Sequence, residues 1–252
     1  MNREILLNPK YESLRGFVET LPDIFDHTGE TVYEDRNCVK KLITPDGMEI
    51  NVKRYHAPGG INKYVYSLGI RKPKGVRAYI YPQKLLAKDI DTPEPIAYIE
   101  ERCCGILGFS YFVSLQCPYE HRMFDVGDAP DGTYEELACA FARFTADMHV
   151  KNVMHMDYSP GNILYRQMPD GTFRFSLVDI NRMYFGKVGM KAGCNNFKRL
   201  WGPKRFFIMM IEEYARYRGF NVDEAVDYSL RVRSRFWTRF RKKHGIYFKL
   251  EL

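Results

Sequence analysis

The sequence predicts an α+β chain in two lobes, a small antiparallel-sheet lobe with one helix and then a larger, mainly helical lobe. Three observations predict it. Short alternating apolar runs crowd the first part of the chain, helical apolar spacing dominates the second, and a polar, turn-rich stretch from Pro118 to Gly132 separates them as a natural hinge. The expected lobes are residues 1–117 and 118–252.

In the first lobe, after a short N-terminal segment, Glu30 to Arg36 reads as a first strand and Asn37 to Thr44 as a second. The turn Pro45-Asp46-Gly47 reverses the chain into a third strand, Met48 to Tyr55, because Asp-Gly between two alternating runs favours a hairpin. Alternation then puts Lys53 on the face opposite Val52. Residues 56–75, rich in glycine, proline and basic side chains, read as loop. Val76 to Ile90 reads as a helix, with Pro82 limiting where it begins. Thr92 to Glu101 and Gly108 to Gln116 complete the sheet.

The second lobe opens with a helix started by Thr133, with Glu136 at the capping-box spacing. Leu137, Phe141, Phe144 and Met148 recur at helical intervals along it, so one face is buried. Two strands, Asn162 to Arg166 and Phe173 to Asp179, flank the turn Pro169-Asp170-Gly171. The remainder reads as helical, including Phe206 to Tyr217 and the basic stretch after Asp223.

An aromatic content of 15% within a 45% hydrophobic composition argues against disorder. The first residues hold no apolar run of signal-peptide length, and no later stretch reaches the roughly 20 apolar residues of a membrane span. The six cysteines contain no C-x-x-C pair and fit neither a zinc site nor a disulfide framework, so reduced thiols in a cytoplasmic protein are expected.

The chemistry concentrates in His155-Met156-Asp157-Tyr158-Ser159-Pro160-Gly161-Asn162, after a long amphipathic helix. Its H-x-D-x-x-x-x-N spacing is that of a kinase catalytic loop, and the following hairpin delivers Asp179 at the end of an apolar strand. Phosphoryl transfer explains the residue types, since the enzyme mainly positions and neutralises dense phosphate charge. Asn162 and Asp179 supply hard oxygen ligands suited to Mg2+. Asp157 is the expected catalytic carboxylate, aligning the attacking hydroxyl and accepting its proton, while His155 braces the loop. Lys53 is the expected contact to the ATP phosphates; a solvated strand lysine is its plainer alternative. No G-x-G-x-x-G precedes it and the first-lobe helix has no glutamate, so either another residue braces Lys53 or it is held differently. Together these residues predict the protein-kinase-like fold.

The run Val52-Lys53-Arg54-Tyr55, the triplet Arg77-Ala78-Tyr79, the pair Leu85-Leu86 and the stretch from Ile90 through Thr92-Pro93-Glu94-Pro95 to Glu100 resemble the bacterial lipopolysaccharide kinase family. That family includes kinases acting on Kdo and on core heptose, and the similarity continues through His155 to Leu164 and Asp179. The resemblance implies ATP-dependent phosphorylation of a sugar hydroxyl on a glycolipid, the lipopolysaccharide inner core, at the cytoplasmic face of the inner membrane. It also implies that Asp157 is the catalytic aspartate, Asn162 and Asp179 the metal positions and Lys53 the ATP lysine. Asp179-Ile180-Asn181 stands where eukaryotic protein kinases have D-F-G, and no A-P-E follows, which lowers the protein-substrate reading.

From Ser229 onward eight basic residues face one acid, Glu251, a surplus equal to the whole net charge of +7. At helical spacing Leu230, Phe236, Trp237 and Phe240 share one sector, while Arg231, Arg235, Arg239 and Lys242 fall opposite. The stripe is either a solvated helix face or a peripheral contact to anionic membrane or glycolipid phosphate. No nucleic-acid motif accompanies it, so no nucleic-acid partner is expected. Two rival readings stay open: a kinase acting on a soluble small molecule or protein, and a non-catalytic kinase-like binding module.

Overall fold

A computed structural model describes residues 2–130 and 132–252. The chain divides into two compact units, Met1–Pro118 and Tyr119–Leu252. The first is built on a six-stranded sheet in the order β1-β5-β6-β4-β3-β2. Its strands are β1 (Asn2–Leu7), β2 (Glu30–Glu34), β3 (Asn37–Ile43), β4 (Glu49–Tyr55), β5 (Pro95–Cys103) and β6 (Ile106–Leu115). All neighbouring pairs are antiparallel.

Register explains the two faces. Val52 lies beside Val113, which lies beside Ala97, and these residues join a core with Val18, Leu21 and Phe25. Val18 and Leu21 come from α1 (Arg15–Ile24), and Phe25 caps its end. Burying such side chains stabilises by about 2 kcal/mol each. Lys53 lies beside Phe112, which lies beside Tyr98, and these form the other face. There α3 (Lys74–Leu86) packs on β5 and β6, with Gly75 so close to the Tyr98 ring that a side chain would collide with it.

Three local expectations change. The N-terminal segment, given no element in the sequence reading, carries β1 and α1 ahead of the first expected strand. Residues 56–75 contain a short helix, α2 (Ile61–Ser67). The first unit thus has three α-helices among the described residues rather than one. Pro82 sits inside α3 rather than near its start; burial of Ala78, Tyr79, Pro82 and Leu85 offsets the lost backbone bond. Lys40 is also buried, donating from Nζ to the carbonyls of Phe25 (2.7 Å), Thr28 (3.2 Å) and Asp26 (3.3 Å). Its charge therefore meets the negative end of α1.

In the second unit, α4 (Glu135–Val150) packs on α6 (Lys204–Arg218), and α6 packs on α7 (Val222–Arg241). Between them come β7 (His121–Arg122), β8 (Val153–His155), β9 (Ile163–Gln167), β10 (Phe173–Leu177), β11 (Met183–Phe185) and α5 (Met190–Asn196). The strands form two small sheets, β10-β9-β7 and β11-β8. Aromatic contacts among Phe141, Tyr158, Phe175 and Phe197 fill the space beneath α4.

The expected capping box does not form. Thr133 bonds back to the Pro130 carbonyl, and Glu135 instead accepts from the backbone N–H groups of Gly132 (3.0 Å) and Tyr134 (3.1 Å). The stretch expected as a hinge is largely tied into this unit, because β7 pairs with β9 and Met123 N–H donates to the Ile163 carbonyl.

Helix α7 keeps its expected stripe, with Arg231, Arg235, Arg239 and Lys242 exposed and Trp237 buried. Arg233 is the exception, fully buried under α7. Its guanidinium donates to the carbonyls of Leu200 (3.2 Å), Gly202 (3.2 Å) and Glu251, and lies over the Phe207 ring. Burial pushes its pKa down to about 10.

Candidate active site

The loop after β8 folds as a tight turn because its own side chains satisfy its backbone. His155 is completely buried, its Nδ1 accepting from the Asp157 N–H at 3.0 Å. Its Nε2 then carries the proton and donates to the Val178 carbonyl at 3.1 Å, one residue before Asp179. Burial holds this imidazole below its usual pKa, so it stays neutral. His155 thus bridges the two acidic positions, as a brace would.

Asn162 completes the frame. Its Nδ2 donates to the Asp157 carbonyl at 2.9 Å, and its own carbonyl accepts from the Val178 N–H at 3.0 Å. The amide oxygen of Asn162 is therefore the atom left to act as a ligand. Asp179 sits at φ 53°, a left-handed conformation that costs a non-glycine residue roughly 1 kcal/mol or more. Asn181 fixes it there, donating from Nδ2 to Asp179 Oδ1 at 2.6 Å, while Ile180 anchors the turn in the core.

The sequence-predicted residues His155, Asp157, Asn162 and Asp179 are brought together in the second unit by these bonds. Lys53 lies in the first unit, half-buried on β4, its Nζ 5.4 Å from the Tyr55 ring centroid.

Sequence reading missed the arginines on Asp157. Arg199 Nη1 is 2.7 Å from Asp157 Oδ1, and Arg182 Nη1 is 3.6 Å from Oδ2. The Arg199 guanidinium also lies over Phe236 of α7. Also missed was a buried relay behind the loop. Tyr214 OH bonds His149 Nδ1 (2.9 Å), His149 Nε2 bonds Asn196 Oδ1 (3.2 Å), and Asn196 Nδ2 donates to the His155 carbonyl (2.9 Å). Burial pushes the His149 pKa down to about 4. No local motif marks these residues, because each acts across a long sequence separation.

Asn162 and Asp179 are the residues that could hold a cation, and their hard oxygens fit magnesium. Among the described residues no group of three or more His, Cys, Asp and Glu side chains could do so. A cation held by Asn162 and Asp179 must therefore complete its shell with phosphate oxygens and water.

This loop and Asp179, just past β10, lie inside a segment that a known family matches. Residues 123–208 match the lipopolysaccharide kinase (Kdo/WaaP) family. That is the family the sequence resembles, and the match makes the chain a phosphotransferase of the kinase class. A solved structure of WaaP in complex with acyl carrier protein is similar at TM-score 0.61 and 14% identity, over 96% of this chain and 100% of that one. An amicoumacin kinase in complex with AMP-PNP, Ca2+ and Ami is similar at TM-score 0.55 and 12% identity, over 92% of each chain. The Rio2 kinase of Chaetomium thermophilum is similar at TM-score 0.53 and 11% identity, over 96% of this chain and 84% of that one. At these identities the structures show a shared kinase-like fold. No curated protein sequence matches the chain.

Proposed function

We propose that the chain transfers the γ-phosphoryl group of ATP to a sugar hydroxyl of a glycolipid, the Kdo or heptose of a lipopolysaccharide inner core. The observation that carries this reading is the hydrogen-bonded frame that ties the loop of Asp157 and Asn162 to Val178, the neighbour of Asp179. Asp157 orients the acceptor hydroxyl and takes its proton as the new O–P bond forms and the bond to the ADP oxygen breaks. Asn162 and Asp179 hold Mg2+, which neutralises phosphate charge, and Lys53 contacts the α- and β-phosphates. The reaction is assigned to the cytoplasmic face of the inner membrane, where the basic face of α7 meets anionic lipid. No helix among the described residues is long and apolar enough to cross a membrane, which fits a peripheral contact.

The two arginines on Asp157 refine the acceptor. With Arg199 on Oδ1, an incoming hydroxyl must share that carboxylate or displace the guanidinium. An acceptor with a carboxylate or phosphate beside its hydroxyl would draw Arg199 to itself and leave Asp157 to the hydroxyl. Of the two acceptors, acidic Kdo offers Arg199 such a partner itself, whereas heptose needs a neighbouring phosphate to do so.

Incubation with labelled ATP, Mg2+ and a membrane glycolipid extract should place label on the glycolipid. Label on a soluble metabolite or polypeptide instead would replace the acceptor assigned above. Asp157→Asn should lower turnover at least about 10²-fold while nucleotide-induced thermal stabilisation persists, and retained turnover would remove the proposed base.

A further inference from the structure

The segment from Gly59 to Lys74 presents an apolar cluster that the fold does not use. Ile61 is 79% exposed, Tyr64 57%, Leu68 72% and Ile70 73%, and α2 contains no buried residue. Ile61, Tyr64 and Leu68 recur at helical spacing, so they lie along one face. Four exposed basic residues, Lys63, Arg71, Lys72 and Lys74, surround them, and no acid occurs between Arg54 and Asp89. The cluster is also held in place. Ser67 accepts at its carbonyl from Arg102 (3.2 Å) and at Oγ from the Leu107 N–H (2.9 Å), pinning α2 to the β5–β6 hairpin.

We infer that this segment is a docking surface for an anionic lipid bilayer, inserting Ile61, Tyr64, Leu68 and Ile70 at the headgroup boundary. Three features point to lipid. Exposed apolar residues in contiguous patches mark interaction sites. A basic rim without acids complements anionic headgroups, and long basic side chains keep their charge at the interface while the apolar tips enter. Tyrosine belongs at that same depth. A second copy of the chain is disfavoured, because it would bring one acid-free basic rim against another.

The inference does not depend on which acceptor the enzyme phosphorylates, and vesicle binding needs neither nucleotide nor acceptor. Co-sedimentation should show the protein on vesicles of equal parts phosphatidylglycerol and phosphatidylcholine, and at least tenfold less on phosphatidylcholine alone. Combining Ile61→Ser, Leu68→Ser and Ile70→Ser leaves every charge in place, including those of α7, and should weaken anionic-vesicle binding at least tenfold. Tyr64→Trp should shift its emission to the blue on those vesicles, measured against the wild-type signal of Trp201 and Trp237. An unchanged affinity in the triple serine variant, or no blue shift from Tyr64→Trp, would overturn the assignment. So would a dimer on gel filtration that the triple variant abolishes, which would give the face to a second copy. Unchanged ATP hydrolysis and thermal unfolding in the triple variant separate this outcome from loss of fold or of the phosphotransfer reading.

Discussion

Helix α7 and the segment around α2 both display exposed basic side chains, yet they place their apolar residues in opposite ways. In α7, Trp237 is buried against Trp201 and Phe248, and Phe236 and Phe240 pack beside it. Its arginines are left with charge alone. Around α2 the apolar side chains face solvent together with the charge. Charge pattern by itself therefore identifies an anion-facing surface but not one that enters a bilayer. The exposed apolar component decides that.

The largest effect should come from breaking the attachment of α7. Arg233→Ala removes the guanidinium's bonds to the carbonyls of Leu200, Gly202 and Glu251 and empties the space over Phe207. It should cost about 3–4 kcal/mol, read by chemical denaturation. No single substitution in the α2 segment should approach that cost.

Acid should separate the same two units. His149, buried behind the catalytic loop, binds a proton more weakly when folded (pKa about 4) than a free histidine does at 6.5. The unfolded chain then carries more protons, so stability is full above pH 6.5 and falls by about 3 kcal/mol as pH drops towards 4. The first unit's His27 and His56 are exposed, unlike the buried His149. Hydrogen exchange at pH 5 should show the second unit opening first, and His149→Gln should flatten the pH profile.

A smaller effect is expected for the α7 stripe. Replacing Arg231, Arg235 and Arg239 together by Glu should weaken binding to anionic vesicles several-fold at low salt, with ATP binding intact. Half-molar salt should erase that difference. Unchanged vesicle binding would leave the stripe a solvated face. Smallest of all, each α2 serine substitution should alter stability by less than about 0.5 kcal/mol, since its side chain is already in water.

Much of the site was legible because it is nearly contiguous. His155, Asp157 and Asn162 fall within one short run, and Asp179 ends the next hairpin. Alternation also placed Lys53 opposite Val52, as the register of β4 confirms. Arg199, Arg182 and Asn196 were not legible because their roles exist only after the chain returns to the loop. Arg233 escaped for a different reason. Periodicity treats an arginine as polar, whereas carbonyls from two remote segments make its burial possible. In β1 and α1 the signal was weak, and pairing with β5 and packing on the sheet supply what local preference lacked. The capping box failed because the helix begins only at Glu135, leaving Thr133 outside it and bonded back to the Pro130 carbonyl.

The left-handed backbone at Asp179 has one more consequence. Asp179→Gly removes the carboxylate and at the same time relaxes the main chain, so the variant should melt no lower than its parent. Selection for heat resistance alone would let this aspartate go. On the proposed function, gripping a nucleotide's cation is a reason to keep a side chain on so uncomfortable a bend.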